Sequence, residues 1–206
     1  MRELAISKRA DPAYVKAFKS LLQRLLRSAK VTRKEPLTLY LAGGAAMHFY
    51  TGARMTDDVD AVFDRKLLIP PDLAVIYRDS EGRARSIYFD ANYNETYALL
   101  HENAHKEAMR LSLEGVEGAR IFVLQPVDLA ASKLARFSEI DRKDIQQLAA
   151  EGLITANELL KRAEEALPGY VGNPDPVRTA IVLACRDIEA SKASSGVWFK
   201  FQPLKK

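Results

Sequence analysis

Residues 39–64, LYLAGGAAMHFYTGARMTDDVDAVFD, decide how this chain is read. An apolar run leads into Gly43-Gly44, and an acidic pair, Asp58-Val59-Asp60, follows between apolar residues. Residues 37–42 read as a strand entered through Pro36, residues 45–50 as a short helix ending near Gly52, and residues 59–63 as a second strand. A strand, a Gly-Gly turn and a helix N-terminus form a phosphate cradle. Glycine accepts positive φ and has no Cβ to hold a triphosphate away, and the helix offers unpaired N–H groups and the positive end of its dipole. Many strand–helix turns contain glycine for steric reasons alone, so the acids sharpen the signal. Residues two apart on a strand share a face, which sets Asp58 and Asp60 side by side while Val59 and Ala61 face the core. Paired carboxylates repel unless a cation joins them. Mg²⁺ suits them, since it takes oxygen ligands and keeps waters and substrate phosphates. Asp57 would point with Val59 and reads as a turn residue. The competing reading of the acidic pair is an exposed polar strand face.

Working outward, the chain has 206 residues and is 48% hydrophobic, enough for a real core and too apolar for a disordered chain. No apolar stretch approaches the ~20 residues of a membrane span. The first residues, MRELAISKRADP, are charged and lack the apolar segment of a secretory signal. A single cysteine, Cys185, excludes an internal disulfide framework. A cytoplasmic protein with no membrane partner is expected. The net charge is +4, and cations crowd the first 34 residues, from Lys8 and Arg9 to Arg33 and Lys34. These read either as a solvated helix face or as an electrostatic footprint for RNA or another polyanion.

Asp11-Pro12 supplies an N-cap and a first-turn proline for a helix. Val15, Phe18, Leu22, Leu25, Leu26 and Ala29 follow at helical spacing as its buried stripe. Residues 73–78 and 84–90 read as a hairpin around 79–83, residues 95–111 as a helix, and residues 119–124 as a strand stopped at Pro126. The texture then becomes helical over 127–137, 142–150, 156–166 and 176–190, with breaks at Gly152, Pro168-Gly169 and Asn173-Pro174. The expectation is an α/β (α+β) fold: a small mixed β-sheet core with a C-terminal helical region. Residues 1–125 would form the core with the basic helix, and residues 126–206 a helical region completing the site, ending in a short aromatic tail around Trp198. Cys185 reads as a small core residue beside Val177, Ile181 and Ile188.

Together the elements of residues 39–64 resemble the DNA polymerase β-like nucleotidyltransferase superfamily. Its pattern is apolar–Gly–[Gly/Ser], a spacer of about nine to thirteen residues, then Asp–apolar–[Asp/Glu]. Here Gly44 and Asp58 are separated by thirteen residues. The string Arg54-Met55-Thr56-Asp57-Asp58-Val59-Asp60 also looks like the Arg-x-Thr-x-Asp-x-Asp form of small bacterial members. The resemblance implies that Asp58 and Asp60 bind metal, Mg²⁺ or Mn²⁺, and that Gly43 and Gly44 contact nucleotide phosphates. It implies a third carboxylate from a later strand, for which Asp90 in Ile87-Tyr88-Phe89-Asp90-Ala91 is the best match; Asp64 lies near the end of its strand. Arg54 reads as a phosphate contact or as a surface arginine.

A second block, residues 124–137, LQPVDLAASKLARF, leads into Asp141-Arg142-Lys143-Asp144-Ile145. It looks like the second block of the abortive-infection toxin-type nucleotidyltransferases and their uncharacterised relatives, a Pro-x-Asp-Leu…Lys helix followed by a Lys-Asp-x-x-Asp helix. The match extends to Lys133 and to Lys143-Asp144; the last acid of the pattern is Gln147 here. Lys133 would neutralise charge on a triphosphate while Asp144 orients that lysine or the acceptor, or the two form a salt bridge between helices. In the first case Asp58, Asp60, Gly43, Gly44 and Lys133 must face one cleft.

His101-Glu102-Asn103-Ala104-His105 fits H-E-x-x-H, which on a helix would hold Zn²⁺ and present Glu102 as a general base. Lys106 sets a cation beside that supposed site, and a polar helix face explains the string equally. The leading expectation is a nucleotidyltransferase that moves a nucleoside monophosphate from a nucleoside triphosphate to an RNA (tRNA among them), protein or small-molecule acceptor. By resemblance it would be the toxin of a toxin–antitoxin pair, with a cognate antitoxin as partner. The alternatives are a non-catalytic nucleotide- or partner-binding module and the zinc hydrolase.

Overall fold

Asp11 caps the first helix, α1 (Pro12–Ser28), by accepting from the backbone N–H groups of Ala13 and Tyr14. Its apolar stripe is wider than the periodicity suggests, with Tyr14, Ala17 and Leu21 buried beside Phe18, Leu22, Leu25 and Leu26. In the computed structural model, which describes residues 2–196, the order continues β1 (Leu37–Leu41), α2 (Gly43–Thr51), β2 (Asp58–Val59), β3 (Ala61–Phe63), β4 (Ala74–Arg78) and β5 (Ala84–Phe89). Then come α3 (Ala104–Glu107), β6 (Met109–Leu111), β7 (Ala119–Val123), α4 (Pro126–Leu134), α5 (Glu139–Ala150), α6 (Ala156–Ala166) and α7 (Pro174–Gly196). This is the expected mixed α/β class with a helical C-terminal region. The aromatic tail around Trp198 lies outside the described residues.

The strands form two small sheets rather than one, ordered β3-β1-β7-β6 and β2-β5-β4. β1 runs parallel to β7 and antiparallel to β3, while β2 runs parallel to β5. The single strand expected over residues 59–63 is therefore two. Val59 pairs with Phe89 in one sheet, and Ala61 pairs with Leu41 in the other. Asp60 is the crossing point, and its carbonyl accepts from the N–H of Ala42 (3.0 Å). The face alternation survives the crossing, because Val59 and Ala61 are both buried.

The helix expected over residues 95–111 is not formed. The segment is a 3₁₀ turn (Glu95–Tyr97), the four-residue α3, and β6, whose residues pair antiparallel with β7 from Met109↔Val123 to Leu111↔Ile121. The open edge of β7 offers a ladder of backbone partners, and that tertiary pairing outweighs a local helical preference worth only tenths of a kcal/mol per residue. One buried core runs without interruption from α1 through both sheets into α4–α7, so α4 and α5 are fixed against α2 and the start of the site.

Candidate functional site

Gly43 and Gly44 open α2 at the end of β1. Ala42 supplies no side-chain cap, so the N–H groups of this first turn point onward without an intrahelical acceptor. Gly43 has φ +54°, and a Cβ built on it would overlap the carboxylate of Asp60. A Cβ on Gly44 would meet the Thr56 Cβ and Cγ2 at 2.8 Å. Both glycines are thus required by the close approach of the acidic segment to the helix start.

Asp58 and Asp60 flank buried Val59, and the N–H of Asp90 donates to the carbonyl of Val59 (3.1 Å), setting Asp90 beside the pair. One cavity of about 500 Å³ is lined by Gly43, Gly44, Arg54, Asp58, Asp60, Asp90 and Lys133, with Thr56 and Arg136 among its other walls. The two sequence blocks therefore meet in a single cleft. Among the described residues none of the three acids forms an ion pair within 4.0 Å; Asp58 accepts from the Thr56 hydroxyl, and Asp90 accepts from the N–H of Asn92 (2.8 Å). Burial, and then the charges of Asp58 and Asp90, push the Asp60 carboxyl up to about 6, against the weaker pull of Lys133 and Arg136. A divalent cation with oxygen preference fits this uncompensated set. Among the described residues, no three His, Cys, Asp or Glu side chains are gathered into a ready metal cage. The donor set suits an ion held by two carboxylates and completed by water or substrate phosphate oxygens.

Asp57 stays outside that cavity, exposed and 4.0 Å from Arg85 Nη1. Asp64 lies past β3 against Arg65 (3.3 Å).

The opposite wall is a chain of alternating charges. Arg54 donates from Nε and Nη2 to the two oxygens of Asp144 (3.1 and 3.0 Å). Lys133 Nζ lies 2.7 Å from Asp144 and 3.7 Å from Asp141. Arg136 grips Asp141 through Nε and Nη2 (2.7 and 2.8 Å). Burial alone would raise the carboxyl of Asp141, but the hydrogen bonds from Arg136 and Ser138 and the charge of Lys133 hold it at about 2. Asp141 also closes a capping box with Ser138 at the start of α5, so the same side chain ends the α4–α5 turn and orients Arg136. The salt-bridge reading and the site reading of Lys133 and Asp144 thus hold together: the pair joins α4 to α5, and Lys133 lines the cleft.

Sequence reasoning missed Arg136, Asp141, Tyr93, Asn94, Tyr97 and Tyr170, which also wall this region. Arg136, one helical turn after Lys133, could have been found by spacing; the tyrosines and Asn94 come from segments with no motif. Lys143 faces away, paired with Glu139 (2.6 Å), and Gln147 bonds Glu151 (2.7 Å). Asp128 of the Pro-x-Asp-Leu string is fully buried against Arg162 (2.8 and 2.9 Å) and fastens α4 to α6.

His48 is buried, accepts at Nε2 from the N–H of Asp11 (2.9 Å) and donates from Nδ1 to the carbonyl of Arg54 (2.8 Å). Burial holds its pKa below the ordinary value, so it is a neutral strut between α1, α2 and the Arg54 segment. The H-E-x-x-H string lacks the helix its chemistry needs, because His101 and Glu102 precede α3. His105 bonds Glu95 (2.9 Å) and stacks on Tyr40, while His101 accepts from the N–H of Asn103 (3.2 Å) and lies 3.9 Å from Glu165. The two imidazoles are separately engaged, which removes the basis for the zinc hydrolase.

No described helix is long and apolar enough to cross a membrane. A family model described as "Nucleotidyltransferase of unknown function (DUF6036)" matches residues 19–189, and the chain belongs to that family. No curated protein and no solved structure matches the chain.

Proposed function

We propose that this member of the family transfers a nucleoside monophosphate from a nucleoside triphosphate to an acceptor hydroxyl, with Mg²⁺ or Mn²⁺ as cofactor. The observation that supports this reading is the meeting of Gly43-Gly44, the Asp58/Asp60 pair and Lys133 in one cleft. The acceptor oxygen bonds to the α-phosphorus and passes its proton to a carboxylate of the Asp58, Asp60 and Asp90 set as the bond to the bridging oxygen breaks and pyrophosphate leaves. Asp58 and Asp60 would hold the divalent ion, with Asp90, the third carboxylate of the family pattern, beside them in the cleft; the ion supplies charge neutralisation and lowers the pKa of a bound oxygen. The N–H groups at the start of α2 seat phosphate oxygens. Lys133 and Arg54 add positive charge on the far wall, and Asp144 keeps both aimed across the cleft rather than loose in solvent.

RNA, tRNA included, is the favoured acceptor among RNA, protein and small molecules, on the strength of the basic face of α1, where Lys16, Arg24 and Arg27 are exposed. The resemblance to polymerase β-like and toxin-type enzymes adds a role as the toxin of a toxin–antitoxin pair in the cytoplasm.

The test is incubation of the full chain with each labelled nucleoside triphosphate, Mg²⁺ and total RNA, with protein and small-molecule acceptors as further arms. Transfer by wild type that disappears in Asp58→Ala/Asp60→Ala is expected. Equal transfer by both would overturn the site, and transfer by neither across all arms would leave a binding module. Growth arrest on expression, relieved by the same double substitution, tests the toxin role.

A further inference from the structure

Beyond Asp60, Lys133 and Arg136 the cleft opens into a second lobe of about 340 Å³. Its character differs from the acidic lobe. Tyr93 and Tyr97 line it from the segment after β5, and Tyr170 lines it from the segment after α6. Tyr97 is 67% exposed, an aromatic ring left at the mouth of a cavity with no packing role to explain it. Asp60, Lys133, Arg136 and Asp141 wall its inner end, and two neutral polar side chains stand beside the rings. Asn94 Oδ1 is occupied by the N–H of Thr96 (2.9 Å), which leaves its NH₂ group to donate, and Ser132 spends its proton on the carbonyl of Leu129 (2.8 Å), which leaves lone pairs to accept. The carboxylate of Asp141 is taken up by Arg136 and Lys133. A flat, mostly apolar group with a donor–acceptor edge suits such walls, and the volume is that of a small-molecule pocket rather than a polymer groove.

We infer that this lobe is the nucleobase subsite: the base of the triphosphate substrate stacks among Tyr93, Tyr97 and Tyr170 while its phosphates lie along the Gly43–Lys133 wall that both lobes share. The inference rests on the nucleotidyltransferase reading. It leaves the acidic lobe, walled by Asp58, Asp90 and Asn92, as the side from which the acceptor enters. Because every base has a π-face, the rings give affinity without strong choice, and Asn94 and Ser132 read the base edge.

The experiment is calorimetric titration of the full chain in Ca²⁺, chosen to slow turnover, with each ribonucleoside triphosphate and with inorganic tripolyphosphate. Wild type should bind at least one nucleotide more tightly than tripolyphosphate. Tyr97→Ser/Tyr170→Ser should weaken that nucleotide about tenfold or more and leave tripolyphosphate unchanged, while Tyr97→Phe binds as wild type. Thermal melts verify that the variants are folded. Unchanged nucleotide binding in the double variant, an equal loss for tripolyphosphate, or equal wild-type affinity for the two ligands overturns the base subsite alone. Failure of wild type to bind either ligand overturns the transferase reading beneath it.

Discussion

Gly43 and Asp60 occupy the same corner of the cleft: the carboxylate of Asp60 fills the space where a side chain on residue 43 would begin, and residue 43 holds φ at +54°. Gly43→Ala must therefore strain the backbone and displace Asp60. The strain costs about 1–3 kcal/mol, which a shifted urea midpoint will read. Transfer should fall about a hundredfold or more, since an ångström of misplacement at reacting groups has that effect. A variant as active as wild type would show that the approach of Gly43 to Asp60 is not used.

Burial and the charges of Asp58 and Asp90 outweigh the pull of Lys133 and Arg136 on Asp60. Asp60→Asn removes a half-buried charge from among like charges. It should raise stability by about 1 kcal/mol at pH 7 after allowance for solvent screening, while abolishing transfer. Mg²⁺ should raise the melting temperature of wild type and not that of Asp60→Asn. Thermal unfolding with and without MgCl₂ checks both statements.

Lys133 and Asp144 are each only 6% exposed at the side chain. Lys133→Ala leaves Asp144 with Arg54 alone, and Asp144→Ala leaves two cations facing each other. Asp144→Ala should cost about 3 kcal/mol, the scale of breaking a buried pair, and Lys133→Ala less, because Arg54 still bonds both oxygens of Asp144. The double substitution should cost less than the sum, with a coupling of about 1 kcal/mol or more in a denaturant-based cycle. Strict additivity would mean that Lys133 is held by Asp141 instead.

The junction of α1 and α2 is acid-sensitive. Burial alone would raise Asp11, but hydrogen bonds from Ser80, Tyr14 and Ala13 outweigh it and hold the carboxyl at about 2, below its ordinary 3.8. The unfolded chain therefore takes the proton first, and the stability Asp11 contributes is complete above about pH 4 and lost as pH falls toward 2. His48, whose pKa burial lowers from 6.5, acts in the same direction, with stability declining once pH falls below 6.5. In an Asp60→Asn background, which removes the opposing gain from the raised Asp60 carboxyl, urea midpoints measured from pH 7 to 2 should fall in two stages. Asp11→Asn, which keeps an N-cap, should shrink the lower stage, to which Asp141, also held at about 2, contributes as well. Proton NMR should find His48 neutral with its proton on Nδ1.

Much of this is legible in the sequence. The strand–Gly-Gly–helix order, the hairpin of β4 and β5, and α4 to α7 follow from apolar periodicity and from breakers such as Gly152, which act within a few residues of themselves. The 95–111 segment was misread because its fate depends on the open edge of β7, which local propensity does not contain. The H-E-x-x-H string misled because its meaning depended on a helix that begins only at Ala104, after His101 and Glu102.

The sequence by itself determined the mixed α/β class and the identity of the paired acids, because apolar periodicity and face alternation are properties of near neighbours along the chain. Only the tertiary structure decided that Asp60 stands at the crossing of two sheets, that Asp144 is shared between Lys133 and Arg54, and that Tyr97 and Tyr170 line one pocket. Those relations join residues as far as 90 positions apart in the Arg54–Asp144 pair, and they arise where separate elements pack around a common core rather than along the chain.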